Sequence, residues 1–251
     1  MSNRLALKYD FCYLRYIMRT VALVITILLV SCATMSNEER LQKASAHYQL
    51  GISYMNDNNI QPAFVEFQKA IELNPEDKEA HNAIGLIYLL KLENYQKAVE
   101  HFDNALRIDR SFSEALNNLG YAYEKMERFN DAIVAYKSAI SNPLYKSAEK
   151  AFNNLGRVYY RLKRYNEAIE AYKESLRRFS GFHLPYYGLA LCYNATGRYG
   201  DAAVSLKKAI ELDPAYNGDR DKALRDMKEK KLLARGYDER DLSDLIEIFN
   251  Y

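Results

Sequence analysis

Apolar and small residues recur along most of this chain at the spacing of paired amphipathic helices. The pattern is clearest in residues 114–139, where two apolar stripes flank a short polar turn. The stripes comprise Leu116, Leu119, Gly120 and Tyr123 in the first helix and Ala132, Tyr136 and Ala139 in the second. Gly120 and Ala132 fall where two antiparallel helices would approach most closely. The segment therefore predicts one helix hairpin.

The same hairpin pattern recurs five times. Successive copies of the Gly120 position are separated by 34, 35, 36 and 34 residues, and the other four copies hold Gly51, Gly85, Gly156 and Ala190. The Ala132 position holds alanine in every copy. A near-constant period of this length indicates stacked hairpins, each of which buries its apolar face against its neighbours.

These residues resemble the tetratricopeptide repeat family over about residues 44–216. The resemblance implies an all-α fold, a right-handed α-solenoid of five helix hairpins. We place the repeats at residues 44–77, 78–112, 113–148, 149–182 and 183–216. Residues 217–251 are expected to form a capping helix and an amphipathic C-terminal helix. The apolar stripe of that last helix (Leu242, Leu245, Ile246 and Phe249) either docks back on the array or serves as a partner-binding tail.

The amino-terminal region has the pattern of a secretion signal. Residues 21–30 are apolar apart from Thr26, follow basic residues and precede Ser31 and Cys32. Ten residues are too few to cross a bilayer as a helix, which needs about 20, so residues 1–31 predict a signal peptide. Met18 is a candidate start of translation, because residues 18–32 alone form a compact signal.

Residues 29–32, Leu-Val-Ser-Cys, resemble a bacterial lipobox. The resemblance implies acylation of Cys32, with residues 32–43 as a lipidated tether and Ala33 favouring the outer membrane. Several acyl chains would anchor the protein stably. The alternative is an ordinary signal peptide or signal anchor with an incidental cysteine.

Composition and motifs point away from catalysis. The net charge is +2, with no basic segment typical of nucleic-acid binding. Four histidines lack metal-ligand spacing, no phosphate loop or nucleophile motif occurs, and Cys192 is left without a disulfide partner. We expect a non-enzymatic protein without cofactor, metal, nucleic acid or small-molecule substrate.

The family resemblance also implies a peptide groove lined by the first helix of each hairpin. Carried onto this chain, the lining residues are Tyr48, Ile52, Met55, Asn82, Leu86, Leu89, Asn117, Asn118, Tyr121, Lys150, Asn153, Asn154, Arg157, Tyr187 and Leu191. Asparagine amides can both donate to and accept from a peptide main chain. The alternative for the apolar members in repeats one and two is packing between helices.

A second resemblance covers residues 142–156, NPLYKSAEKAFNNLG, which are similar to the PilF/PilW family of type IV pilus biogenesis lipoproteins, called pilotins. In physical terms, Pro143 ends a helix, and Leu144 and Tyr145 are expected to cover a widened gap between hairpins. The resemblance implies an adaptor lipid-anchored to the periplasmic face of the outer membrane, with the pilus secretin subunit as partner. The alternatives are a scaffold for peptidoglycan enzymes or another envelope complex, and a module of a transferase whose catalytic half lies on another chain.

Overall fold

The computed structural model describes residues 35–251 and, apart from these, Met18. Ten of its helices pair into five antiparallel hairpins: α1 Asn37–Asn56 with α2 Ile60–Leu73, α3 Lys78–Leu90 with α4 Tyr95–Ile108, α5 Ser113–Lys125 with α6 Phe129–Ile140, α7 Ala148–Arg161 with α8 Tyr165–Arg178, and α9 His183–Ala195 with α10 Tyr199–Leu212. Two more helices follow, α11 Arg220–Leu233 and α12 Gly236–Ile248. The expected all-α solenoid with carboxyl-terminal capping helices is confirmed.

The first helix begins earlier than its repeat. The Ser36 side chain accepts a hydrogen bond from the Glu39 N–H, and the Glu39 carboxylate accepts one from the Ser36 N–H. This reciprocal cap starts the helix at Asn37. Residues 37–43 of the predicted tether thus belong to the first helix. Cys32 and the signal peptide lie outside the described residues.

The two helices of each hairpin meet at a small residue, as expected. A Cβ atom on Gly120 would lie 2.7 Å from Cε1 of Tyr136, so any larger residue would push the helices apart. In the fifth hairpin Ala190 replaces the glycine, and Leu206 replaces the facing aromatic ring. Both Ala190 and Leu206 are buried. The larger residue on one helix is thus matched by a smaller one on the other.

The turn inside each hairpin contains one residue with positive φ. These residues are Asn58 (57°), Glu93 (49°), Glu127 (56°), Lys163 (58°) and Gly197 (73°). In repeat two the turn spans residues 91–94, one residue more than in the other hairpins, which accounts for the separation of 35 residues between Gly85 and Gly120. The left-handed residue closes the turn and lets the second helix run back along the first.

The wider connection between α6 and α7 is filled by one of its two expected side chains. Tyr145 is buried, but Leu144 is 84% exposed, so the prediction that both cover the gap is wrong for Leu144. The Asn142 Oδ1 accepts a hydrogen bond from the Leu144 N–H, and the Asn142 Nδ2 donates to the Ser113 hydroxyl. This turn directs Tyr145 inward and leaves Leu144 in solvent.

The first helices line one face of the stack. Neighbouring first helices touch directly, α3 with α5, α5 with α7 and α7 with α9, and each of the first four second helices lies between two first helices. We call the face formed by α1, α3, α5, α7 and α9 the inner surface. Repeats one to three form its amino half, and repeats four and five form its carboxyl half.

The C-terminal helix docks on the array, as one of the two alternatives predicted. Helix α12 packs against α9, α10 and α11. Its apolar residues Leu245 and Ile248 are buried. In the part of the chain that the structure describes, no helix is both long and apolar enough to span a bilayer.

Candidate functional site

The amino half of the inner surface carries a row of half-buried apolar side chains. Ile52, Met55 and Leu86 each keep part of their surface in solvent while the rest packs on the helices beneath. Tyr48 is half-buried as well, with its ring centroid 5.7 Å from that of Phe67. Such side chains can contact a partner with their exposed part while the rest stays packed in the array.

Three residues expected in the groove lining are buried instead, so these predictions are wrong. Leu89 is 3% exposed and belongs to the core between repeats two and three, with Phe102 and Leu119. For Leu89 the alternative of interhelix packing is the correct one. Asn153 is 5% exposed and Leu191 is 7% exposed. Leu89 and Asn153 present no surface that a partner could reach, and Leu191 presents none in this conformation of the chain.

Two pairs of asparagines connect adjacent first helices. The Asn118 Nδ2 donates to the Asn82 Oδ1 at 2.9 Å, and the Asn154 Nδ2 donates to the Asn117 Oδ1 at 3.2 Å. All four side chains are half-buried. Each pair uses one donor and one acceptor, so each keeps further amide donor and acceptor capacity for a main chain laid across the surface.

An ion pair marks the boundary between the two halves. The Arg157 guanidinium donates to both oxygens of the Glu124 carboxylate, at 2.5 and 2.8 Å, and the buried Tyr136 hydroxyl donates to Glu124 at 3.1 Å. Burial is the largest single effect and lowers the pKa of Arg157, but the hydrogen bond to Glu124, the charge of Glu124 and the nearby Tyr136 and Tyr172 together raise the pKa overall. Arg157 therefore lies at the inner surface, but its charge is already satisfied within the array.

Two other sequence-derived lining residues sit beside this ion pair. The Tyr121 ring lies 5.4 Å from the Arg157 guanidinium and 5.4 Å from the Lys125 ammonium group. Lys150 is exposed at the start of α7. This part of the surface is polar and basic, as the residue types indicated.

Part of the carboxyl half of the inner surface is covered by the chain itself. Helix α12 packs against α9, and the Tyr251 hydroxyl donates to the Asn194 Oδ1 at 3.1 Å. The Tyr187 hydroxyl donates to the Asp213 carboxylate at 3.0 Å, and burial is the main cause of its raised pKa. Tyr187 is thus occupied by an intramolecular bond.

A polar contact that holds α12 was not found by sequence reasoning. The Arg161 Nη1 donates to the Asp241 Oδ1 at 2.8 Å, and the Arg161 Nη2 lies 2.7 Å from the Asp241 Oδ2. The same guanidinium lies 4.6 Å from the centroid of the Tyr237 ring. The available signal was the acidic spacing on α12, where Asp238, Asp241 and Asp244 follow one another every three residues.

The chemistry of the described residues is that of a binding surface. Burial raises the pKa of the Cys192 thiol to about 12, so it stays protonated and unreactive. Among residues 35–251, no group of three His, Cys, Asp or Glu side chains is arranged to hold a metal ion. The inner surface offers apolar side chains, amides and fixed charges.

Comparison with known proteins shows the repeat architecture directly. Four family models described as "Tetratricopeptide repeat" match residues 44–77, 66–100, 113–142 and 147–215, and one described as "TPR repeat" matches residues 89–127. Together they span most of the region that the five hairpins occupy.

Individual relatives include pilus proteins. The type IV pilus assembly protein PilF of Pseudomonas aeruginosa is 27% identical over 124 residues, which make up 47% of this chain and 49% of that protein. The chain thus spans about half the length of this relative, and it matches other curated relatives over a fifth of their length or less.

Solved structures of pilus proteins share the fold. A structure of Pseudomonas aeruginosa PilF is 25% identical, with a TM-score of 0.64, and the match covers 84% of this chain and 98% of that chain. The structure of PilW, described as a widely conserved type IV pilus biogenesis factor, is 24% identical with a TM-score of 0.65, covering 83% of this chain and 94% of that chain.

Proposed function

Because this chain belongs to the tetratricopeptide repeat family, we propose that it is a non-catalytic adaptor that binds a polypeptide segment of a partner along the amino half of its inner surface. The proposal rests on one observation, the combination of half-exposed apolar side chains and amide pairs in the amino half. Half-exposed Ile52, Met55 and Leu86 lie beside the amide pairs that begin at Asn82. A preformed surface of this kind loses little conformational entropy when a partner binds.

We further propose that the adaptor serves type IV pilus biogenesis, with the outer-membrane secretin subunit as its partner. Support comes from the similarity to PilF and PilW, which covers most of the array in the solved structures. The connection at residues 142–145, Asn-Pro-Leu-Tyr, adds to it. The adaptor would localise the secretin or help it assemble into a ring.

The proposed location is the periplasmic face of the outer membrane, with Cys32 carrying the lipid anchor. The sequence around Cys32 and the relation to pilus proteins both favour an envelope protein. The test is to replace Cys32 by Ser and to compare the mass and membrane fractionation of the product with wild type. An unacylated precursor is expected, and an unchanged mass and fractionation would contradict the anchor.

The binding surface is tested with two variants that add the same charge in different places. Leu86→Glu places a carboxylate in the amino half, whereas Val134→Glu places one on α6, where Val134 is 64% exposed. Affinity purification from cross-linked envelopes should lose the partner with Leu86→Glu and keep it with Val134→Glu. Circular dichroism of both variants shows whether the array remains folded. Equal recovery by two folded variants would place the partner elsewhere.

The identity of the partner is tested by deleting the gene and heating envelope extracts. Loss of heat-resistant secretin multimers is expected if the pilus proposal is correct. Unchanged multimers together with altered levels of wall hydrolases would favour the alternative, a scaffold lipoprotein for peptidoglycan enzymes or another envelope complex. This alternative scaffold function would use the same inner surface to bind its partner.

A further inference from the structure

We propose that the carboxyl half of the inner surface is a second binding site, which fits an amphipathic partner helix with carboxylates on its first two turns. In this structure α12 occupies that site in cis, and a partner helix would bind by displacing it. The inference rests on the proposed function, because it assumes that the inner surface binds polypeptides. It extends that function by naming the form and charge of what this half accepts.

The apolar part of the site is defined by what α12 covers. Leu191 stands at the same position of its repeat as Ile52 and Leu86, which are half-exposed, yet Leu191 is 7% exposed. Leu245 and Ile248 of α12 are buried in the same apolar cluster as Leu191. The site therefore receives apolar side chains spaced three residues apart, the spacing of a helix.

The polar part of the site is defined by Arg161. Its side chain is 10% exposed, and both acidic partners that the structure gives it, Asp241 at 2.7 Å and Asp238 at 3.7 Å, lie on α12. Arg157, one turn earlier, is paired by Glu124 of the array. Arg161 would thus lose its carboxylates when α12 leaves. A buried charge without a partner is costly, so a displacing helix must supply carboxylates at this point.

The connection to α12 allows it to leave without disturbing the repeats. Helix α11 ends at Leu233, Arg235 makes no side-chain cap, and α12 begins at Gly236 with φ of 63°. Leu232 and Leu233 are 75% and 86% exposed, so this end of α11 is not packed on the array. Rotation about this link would free α12 while the five hairpins stay stacked.

The far end of α12 is held by contacts that a displacement must break. The Arg220 Nη2 donates to the Phe249 carbonyl oxygen at 2.5 Å, and the Tyr199 and Tyr251 rings lie 4.8 Å apart. A tethered helix competes at a high effective concentration, so weakening it should strengthen the binding of a free helix. Competition between α12 and a free helix for the site can therefore be measured.

The experiment uses the mature chain and a labelled peptide of residues 236–251 as the probe. One variant, Asp241→Asn with Leu245→Ala, loosens α12. A matched control, Asp221→Asn with Leu233→Ala, makes the same changes at exposed positions of α11. The loosened variant should bind the peptide at least about tenfold more tightly than wild type, because the cis competitor is weakened. The control should match wild type.

Charge and occupancy are tested in the same assay. A peptide with Asp238→Lys and Asp241→Lys should bind no variant, and adding Arg161→Gln to the loosened variant should abolish its gain. Hydrogen exchange must show faster exchange of the α12 amides in the loosened variant. Unchanged exchange would make α12 a fixed part of the fold, and equal binding of both peptides would remove the charge requirement. Either result would overturn the inference.

Two further measurements distinguish this inference from binding of a second copy of the chain and from the proposed function. Dimers formed by exchange of α12 between copies, seen by analytical ultracentrifugation, would identify a second copy as the occupant and overturn the partner helix. Leu86→Glu should leave peptide binding unchanged, because it lies in the amino half. Failure of the peptide assay with normal capture of the envelope partner would therefore leave the proposed function standing.

Discussion

The two halves of the inner surface are built from the same repeat but present different surfaces. In the amino half, Leu86 projects from the first helix of its repeat and keeps part of its surface in solvent. In the carboxyl half, Leu191 occupies the equivalent position and is buried, in the same apolar cluster as Leu245 and Ile248 of α12. A repeat thus determines where a side chain points, and the rest of the chain determines whether a partner can reach it.

The way neighbouring repeats are joined also differs. Asparagine pairs link repeat two to three and repeat three to four. At the next junction Gly188 replaces the asparagine, and a Cβ atom there would lie 2.2 Å from Cζ of the buried Tyr172. The amide row therefore cannot continue into repeat five, where an aromatic ring fills the space. The amino half is suited to a main chain, and the carboxyl half is suited to apolar side chains.

The largest expected effect comes from breaking the ion pair at the boundary. Glu124→Ala leaves the Arg157 guanidinium and the buried Tyr136 hydroxyl without their shared acceptor. We expect a loss of about 3 kcal/mol in the free energy of unfolding, at the lower end for a buried pair because Arg157 is partly exposed. Urea denaturation measures it.

A double variant provides the control for that prediction. Glu124→Met with Arg157→Leu removes both charges together and keeps similar volumes, so most of the lost stability should return. If the double variant is as unstable as Glu124→Ala, the loss comes from packing or from the unpaired Tyr136 hydroxyl and not from an unpaired charge. Charge pairing would then not be the interaction that stabilises the boundary between the halves.

Acid is expected to act on the two halves with opposite sign. In repeat two, the pKa of His101 is lowered to about 4, mainly by burial, with smaller contributions from the charges of neighbouring His81 and Lys97. In α12, burial raises the pKa of Asp244, and the charge of Asp241 adds to the shift. Protonation of His101 therefore opposes the folded form of repeat two, whereas protonation of Asp244 favours the docked form of α12.

The pH range of the effect on repeat two follows from the pKa values of His101 in the folded and unfolded chain. The unfolded chain binds a proton at His101 near pH 6.5, and the folded chain only near pH 4. Stability is thus complete above pH 6.5 and falls as the pH drops towards 4, by about 1 to 2 kcal/mol given the partial exposure of the ring. Segment-resolved hydrogen exchange at pH 7 and pH 5, expressed as protection factors relative to the intrinsic rate at each pH, should show lower protection in α3 and α4 at pH 5 but not in α12. His101→Phe should reduce the change, and a uniform loss of protection would contradict the prediction.

The periodic part of this structure was predictable from the sequence, and the non-periodic part was not. Gly120 and Ala132 identified the helix contacts because four of the five hairpins keep the glycine and all five keep the alanine. The docking of α12, by contrast, uses a hydrogen bond that Arg161 donates to Asp241 across 80 residues, and this contact belongs to no repeat. Leu89 was misplaced for another reason, because its position in the repeat faces inward but large neighbours of repeat three enclose it. A repeat pattern carries no record of such single contacts.

A smaller effect is expected from removing one amide pair. Asn118→Ala leaves the half-buried Asn82 Oδ1 without its donor, which should cost about 1 kcal/mol. The pair between Asn154 and Asn117 provides the internal comparison, since Asn154→Ala should cost a similar amount. If capture of the envelope partner weakens with either variant while stability falls equally, the amide row contributes to binding as well as to stacking. A fall in stability with unchanged capture would limit the row to a structural role.

The smallest expected effect is a gain of stability in the hairpin turns. Repeat five has Gly197 at the left-handed position, whereas repeats three and four have Glu127 and Lys163 there. An L-residue with a side chain is disfavoured in this conformation, and glycine loses more entropy on folding, so the two effects partly cancel. Glu127→Gly should therefore stabilise the chain by about 0.5 kcal/mol, and Gly197→Glu should destabilise it by a similar amount. Thermal unfolding of both variants measures the pair, and shifts of the same sign would show that side-chain contacts, not backbone conformation, decide stability at these turns.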